Sequence, residues 1–359
     1  MSSRDTGISS DGTDSEESRT VEIEKETNEK SGKKLEDLLK NEVYNSDMLW
    51  SLFVAAAKSY RFSSILYPFP PMYISDMDIE ERKNIFALKD AISRVPKFSS
   101  SPSVVSTLSK DCLELLSWVL LTKKFSLKLC EKDSCFKTIK ELTGQVMNTP
   151  EPAYIFEVVP SAERERKFKE LTGSKKTFYA YHGSRLDNFF SILHNGLNTH
   201  LNKVSVFGEG TYLSSELSVS LIYSPTGEGW RNSCLGVKLS CVAVCQMIDD
   251  PSVKCQIKEG SAAQQKQRAQ ASRVTDAVPE KYYVVQNNDV VRVKYLLVYR
   301  EETPQPDPTT RQSAYSWWRE YKFPLLMLAY FVFLAAIGLA NSRQAVNTLT
   351  RFYKSLKFS

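Results

Sequence analysis

The sequence predicts an α+β fold with a helical N-terminal part and one C-terminal membrane-spanning helix. Three observations predict it. Apolar residues recur at helical spacing through the first third of the 359-residue chain. From Phe125 onward, seven short β-type runs interleave irregularly with helical stretches, a pattern of mixed sheet and helix rather than parallel winding. Near the C-terminus the eighteen residues Phe323–Ala340 carry no charge.

Residues 1–32 hold nine acids against four bases and almost no large apolar side chains. Such a segment buries too little surface to offset its ordering entropy, so a disordered acidic tail is expected. No apolar run follows the first basic residue, and no N-terminal signal peptide is predicted. A helical domain is expected over 33–124. Its first face is Leu35, Leu38 and Leu39, and Asn45-Ser46-Asp47 should cap a second helix carrying Leu49, Leu52, Phe53 and Ala56. Pro68-Phe69-Pro70-Pro71 breaks the chain, and helices are expected again over Asp78–Val95 and Lys110–Leu121. Trp50 and Trp118 read as core.

The segment 125–302 holds the β-type runs Phe125–Cys130, Tyr154–Val159, Thr177–His182, Gly210–Ser214, Gly236–Met247, Tyr282–Val285 and Val291–Tyr299. Helices are expected at Asp133–Val146, Ala162–Leu171, Arg185–Asn195 and Glu216–Tyr223, with a polar surface loop at 259–279. Pro304-Gln305-Pro306-Asp307-Pro308 stiffens a linker over 303–322, where Trp317, Trp318 and Tyr321 supply an aromatic belt. A helix over 323–340 is about 27 Å long, enough for a thin bilayer; the competing reading is a buried core helix. The tail 341–359 carries Arg343, Arg351, Lys354 and Lys357, so a tail anchor with a short lumenal end is expected. The length of the span suits the endoplasmic reticulum, and the four basic residues after it are also compatible with a mitochondrial outer-membrane tail.

With net charge +5 overall, the acidic start leaves +10 on the remainder, spread without a basic stripe. This argues against nucleic-acid binding and for an anionic ligand or a membrane surface. Seven cysteines at irregular spacing, with no Cys-x-x-Cys pair and only three histidines, argue against a zinc site and a disulfide framework. Cys241 and Cys245 read as packing in a reducing compartment, which puts the globular part on the cytosolic side.

The residues that carry chemistry are Tyr181-His182-Gly183-Ser184, then Phe207-Gly208-Glu209-Gly210-Thr211-Tyr212, then Tyr282 at the head of a valine-rich run. Followed by Arg292-Val293-Lys294-Tyr295-Leu296-Leu297, this order resembles the poly(ADP-ribose) polymerase superfamily of diphtheria-toxin-like ADP-ribosyltransferases. The likeness runs from about residue 35 to the C-terminus, and within the superfamily it is to the tail-anchored mono-ADP-ribosyltransferase kind. It implies a split antiparallel β-sandwich as the catalytic domain and NAD as donor, with no metal. By position, His182 would bond the adenosine ribose, Gly183 would hold the nicotinamide carboxamide through its backbone, and Ser184 would assist at the ribose. Tyr212 and Tyr223 would sandwich the nicotinamide ring, and Ser220 would bind the carboxamide oxygen. Residues 199–207 would cover the donor. His194 and His200 read as ordinary polar residues, although His200 could touch a phosphate.

Polymerising members place a glutamate where this chain has Tyr282. A phenol, with an ordinary pKa of about 10, is a poor base near neutral pH. Single ADP-ribose units on protein acceptors, including the chain itself, are therefore expected, without chain growth. Glu280 lies two positions away and does not substitute. The acceptors would lie at the cytosolic face of the same membrane, stress-signalling proteins among them. A catalytically weak NAD-binding scaffold and an NAD glycohydrolase are the alternatives.

Overall fold

The computed structural model describes residues 30–75, 82–98, 103–144, 149–197, 210–257 and 281–301, together with Met327, Tyr330 and Leu334. Residues 1–301 form one compact unit and 302–359 a second. In the second unit the three described residues are helical and exposed. The expected span, linker and tail otherwise lie outside the described residues, as do the acidic segment before residue 30, the loop 259–279 and the donor-covering loop 199–207. No helix among the described residues is long and apolar enough to cross a membrane.

The first unit opens with helix α1 (30–41) and continues with α2 (Val43–Lys58), the short α3 (Phe62–Ile65) and a two-stranded ladder of β1 (Ile74–Ser75) with β2 (Arg82–Lys83). Then come α4 (Ile85–Arg94), α5 (Ser103–Ser106) and α6 (Lys110–Leu121). Two expectations need correction here. Asn45-Ser46-Asp47 lies inside α2 and does not cap it, because these side chains make tertiary bonds: Asn45 Oδ1 accepts from Leu129 N at 2.8 Å, and buried Asp47 accepts from Cys234 N at 2.7 Å. The helix expected from Asp78 starts at Ile85, where Asn84 caps it by accepting from Ala87 N at 3.1 Å, and Arg82–Lys83 is strand.

Next follow β3 (Phe125–Leu129), α7 (Lys132–Thr143), β4 (Tyr154–Pro160), α8 (Ala162–Thr172), β5 (Thr177–Gly183), α9 (Phe189–Asn195), β6 (Thr211–Ser214) and α10 (Leu217–Ile222). The unit closes with β7 (Gly227–Glu228), β8 (Lys238–Ile248), β9 (Val253–Ile257), β10 (Lys281–Val285) and β11 (Val291–Arg300). The large sheet runs β3-β4-β11-β8-β5-β6-β10-β9, with β7 beside β8, and every pair in it is antiparallel. Among the described residues, β5 and β6 pair at Tyr181 with Ser214 alone. The sheet is thus split into two halves hinged on one residue pair.

Strand β8 is buried on both faces, and its alternation feeds two cores. Leu239, Cys241, Ala243, Cys245 and Met247 join the larger core with α2, α4, α6 and α9. Val242 and Val244 join a smaller one with Phe136 and Ile139 of α7 and Leu217 of α10. Aromatic rings bind the N-terminal helices to the sheet segment: Trp50 lies 6.4 Å edge-on to Trp230, and Phe53 lies 5.2 Å from Phe190.

His194, on α9, sits in the larger core between the rings of Phe125 (5.1 Å) and Phe190 (4.5 Å). Its Nε2 is buried with no hydrogen-bond partner among the described residues. Burial, reinforced by Arg164 and Lys123, holds its pKa at about 4, below the ordinary 6.5. The unfolded chain therefore takes up a proton below pH 6.5 that the fold refuses until about pH 4. Stability conferred by neutral His194 is complete above pH 6.5 and is lost progressively as pH falls towards 4. Denaturant unfolding should show a loss of about 2 kcal/mol from this group between pH 7.5 and 5. The variant His194→Leu should have a correspondingly shallower pH profile, and an unchanged profile would refute the assignment.

Candidate active site

The site is built where the sheet splits. Strand β5 carries His182 and Gly183 one and two positions beyond its last pair with β6, while β8 still holds them through Ala243 and Val242. Freed from β5, β6 offers the Tyr212 carbonyl to His182 Nδ1 at 2.9 Å. A carbonyl only accepts, so Nδ1 carries the hydrogen and Nε2 is left as an acceptor. Burial lowers the His182 pKa, against a smaller opposing effect of that carbonyl, so the imidazole is neutral at pH 7. A neutral imidazole with an acceptor nitrogen suits bonding to a sugar hydroxyl.

Gly183 is glycine for a reason its place in the motif does not disclose. A Cβ there would stand 2.0 Å from the carbonyl oxygen of Ser220 and 3.0 Å from Ser224 Oγ. Helix α10 thus rests its backbone directly on β5 at this residue. That approach brings in Ser220, which is buried, and Tyr223, the residue closing the helix, which is 54% exposed. Ser184 N donates to Ser224 Oγ at 3.2 Å, and Ser224 Oγ donates to Ser220 O at 3.0 Å. His182, Gly183, Ser184, Tyr212, Ser220 and Tyr223 accordingly form one neighbourhood in which β5, β6 and α10 meet.

Tyr282 enters through the ladder. It pairs with Ser214 on β6, which pairs with Tyr181 on β5, so the three positions form one row across the split. At about 4.8 Å per strand, Tyr282 lies roughly 10 Å from β5. It is 5% exposed, between Ser214 and Gln256. The register therefore puts Tyr282 two strands from the strand of His182. Glu280 and His200 lie outside the described residues.

Several polar residues of this neighbourhood were not singled out in the sequence. Asn188 Nδ2 donates to Ser184 Oγ at 2.9 Å, and Asp187 collects hydrogen bonds from Ser59 and Arg185. The signal for Asn188 was its place one helical turn after Ser184. The contact with Ser59, across 128 residues, had none.

A split antiparallel sheet with His-Gly at the split and tyrosines on the facing strand and helix is the architecture of a diphtheria-toxin-like transferase. Comparison with known proteins agrees. Residues 134–301 match the poly(ADP-ribose) polymerase catalytic domain, and residues 37–120 match the ARTD15 N-terminal domain. The mouse protein mono-ADP-ribosyltransferase PARP16 is 40% identical over 304 residues, covering 84% of this chain and 92% of that protein. Its human counterpart is 40% identical over 301 residues, covering 83% and 90%. Mouse protein mono-ADP-ribosyltransferase PARP8 is 27% identical over 198 residues, half of this chain and 22% of that protein. The chain belongs to the poly(ADP-ribose) polymerase superfamily.

Substituting Gly183→Ala should push α10 off the sheet edge, because the obstacle is backbone and cannot swing aside. The expected cost is about 2 kcal/mol in denaturant unfolding, as for overpacking elsewhere. Unchanged stability would mean that α10 does not rest on Gly183.

Proposed function

We propose that this chain is an NAD-dependent protein mono-ADP-ribosyltransferase that moves one ADP-ribose from NAD to a protein side chain, its own included, and releases nicotinamide. What carries this reading is the cluster at the sheet split, where His182 bonds the Tyr212 carbonyl and Gly183 packs against the Ser220 backbone, in a chain that aligns over nine-tenths of a relative named for that activity.

In this reading the donor lies along the split. His182 Nε2 accepts from the adenosine ribose, and Ser184 assists. The backbone of Gly183 and the hydroxyl of Ser220 hold the carboxamide, and Tyr212 and Tyr223 flank the ring. The exposed Tyr223 leaves one wall open for the ring to enter. The glycosidic C–N bond breaks as positive charge develops on the ribose, nicotinamide leaves with the bonding pair, and the acceptor forms a new bond at the same carbon as it loses its proton. The protein contributes position and electrostatics. Tyr282 holds the 2′-hydroxyl through a neutral hydrogen bond. It supplies no base for a sugar acceptor, so the product stops at one unit. Residues 323–340 anchor the chain in the endoplasmic reticulum membrane with the catalytic unit in the cytosol, and that placement selects acceptors at the same surface.

Intact-mass spectrometry after incubation with NAD should show increments of single ADP-ribose units. His182→Ala and Tyr212→Ala should each lower labelling by at least about a hundredfold, and Tyr282→Glu alone should still yield no chains. Retained labelling in either alanine variant would overturn the site, and free ADP-ribose without adduct would indicate water as the acceptor. Removing residues 303–359 should move the protein from the carbonate-resistant membrane fraction to the soluble one. Persistence in the membrane pellet would refute the anchor.

A further inference from the structure

We propose that Ser59 and Arg61, in the turn that ends α2, are positioning residues for the NAD donor site, acting through Asp187 and Asn188; the proposal rests on the donor-site reading above. The observation behind it is an unbroken run of polar contacts from the N-terminal helices to the end of β5.

Ser59 Oγ donates to Asp187 Oδ2 at 2.8 Å, and Arg61 Nη2 lies 3.5 Å from Asp187 Oδ1. The same Arg61 nitrogen donates to Asn188 Oδ1 at 3.0 Å. Asn188 in turn donates to Ser184 Oγ at 2.9 Å, and Ser184 N donates to Ser224 Oγ, which donates to the Ser220 carbonyl. One chain of bonds thus reaches both the ribose-side serine and the helix that carries Ser220 and Tyr223.

Asp187 is a buried carboxylate, and burial alone would raise its pKa. Arg185, donating through Nε and Nη2 at 3.1 and 3.2 Å, together with Ser59 and Arg61, outweighs burial and keeps the group charged. A buried charge with several partners fixes the turn Leu186–Asn188 in place far more firmly than a neutral side chain would. Packing acts beside these bonds, since Leu186 is buried in the larger core. A cavity of about 340 Å³ opens between Ala55, Lys58 and Tyr60 on one side and Arg185, Pro225 and Thr226 on the other. Beside that cavity, the polar side of the turn that follows the donor-site end of β5 is fixed by hydrogen bonds from the end of α2. Helix α2 is a suitable anchor, because most of it is buried in the larger core.

The test uses the 359-residue chain. Arg61→Ala and Ser59→Ala should each raise the KM and Kd for NAD about tenfold, with kcat for self-labelling within about twofold of the unaltered protein. Arg61→Lys should restore part of the affinity, since lysine keeps the charge but not the reach and fixed direction of the guanidinium nitrogen that meets both Asp187 and Asn188. Asp47→Asn is the control for mere loosening of the helices. Asp47 ties α2 to Ser233 and Cys234 and has no part in the relay, so this change should lower the melting temperature and leave NAD affinity unaltered. Unchanged NAD affinity in folded Arg61→Ala or Ser59→Ala would overturn the proposal. Equal weakening by Asp47→Asn would overturn it too, by reducing the effect to general stability. Failure of the unaltered chain to bind NAD would count against the donor-site reading itself, and the relay would fall with it.

Discussion

Tyr181 pairs with Ser214, and beyond that pair β5 and β6 share no further register position. Two strands in full contact leave less than 5 Å between their backbones, too little for any ligand. Strands that part expose main-chain groups otherwise consumed by the ladder, and such groups need partners. The Tyr212 carbonyl finds His182, and Ser184 N finds Ser224. A split would leave a sheet weak, so something must cover it. Here that is α10, pressed so close to β5 that residue 183 can have no side chain. The glycine, the oriented imidazole and the buried Ser220 are consequences of one interrupted ladder.

How much of this was legible in the sequence depended on the range of the interactions. Periodicity placed α6 at Lys110–Leu121 to the residue, since its apolar spacing and termination are local. The run 236–247 was recognised as a strand, and its cysteines as packing, because β8 is apolar on both faces. Val253–Ile257 was missed, being short and mixed in polarity, and it becomes a strand by pairing with β10. Asn45-Ser46-Asp47 misled for the opposite reason. Its residue types are right for a cap, yet Asn45 and Asp47 are spent on Leu129 and Cys234, far away in sequence. At the candidate site, motif order singled out His182, Gly183, Tyr212 and Tyr282, and the structure sets them on the neighbouring strands β5, β6 and β10. Motif order could not supply the contact of Gly183 with α10, nor any role for Ser59 or Arg61.

The register adds physical content to the tyrosine at position 282. It occupies the row Tyr181–Ser214–Tyr282 and is almost fully covered. A carboxylate in such surroundings would need compensating donors to remain ionised, because burial disfavours the charged form. A phenol needs none. A glutamate placed at this covered position would therefore need new donors around it before it could act as a base.

The N-terminal helices bear on the site in a way that their burial does not convey. Trp50, Phe53 and their neighbours weld them to the sheet segment through apolar contact, which is strong but non-directional. Hydrogen bonds are individually weaker and far more directional, so they specify position where packing supplies cohesion. The division is visible here. The apolar core holds α2 in the unit, while Ser59 and Arg61 at its end bond directly to the turn that follows Ser184. A donor site whose fit depends on a few tenths of an ångström is sensitive to the second kind of contact. On the proposed relay, a ligand or protein that bound at the end of α2 and drew Arg61 away from Asp187 would alter NAD affinity without touching NAD.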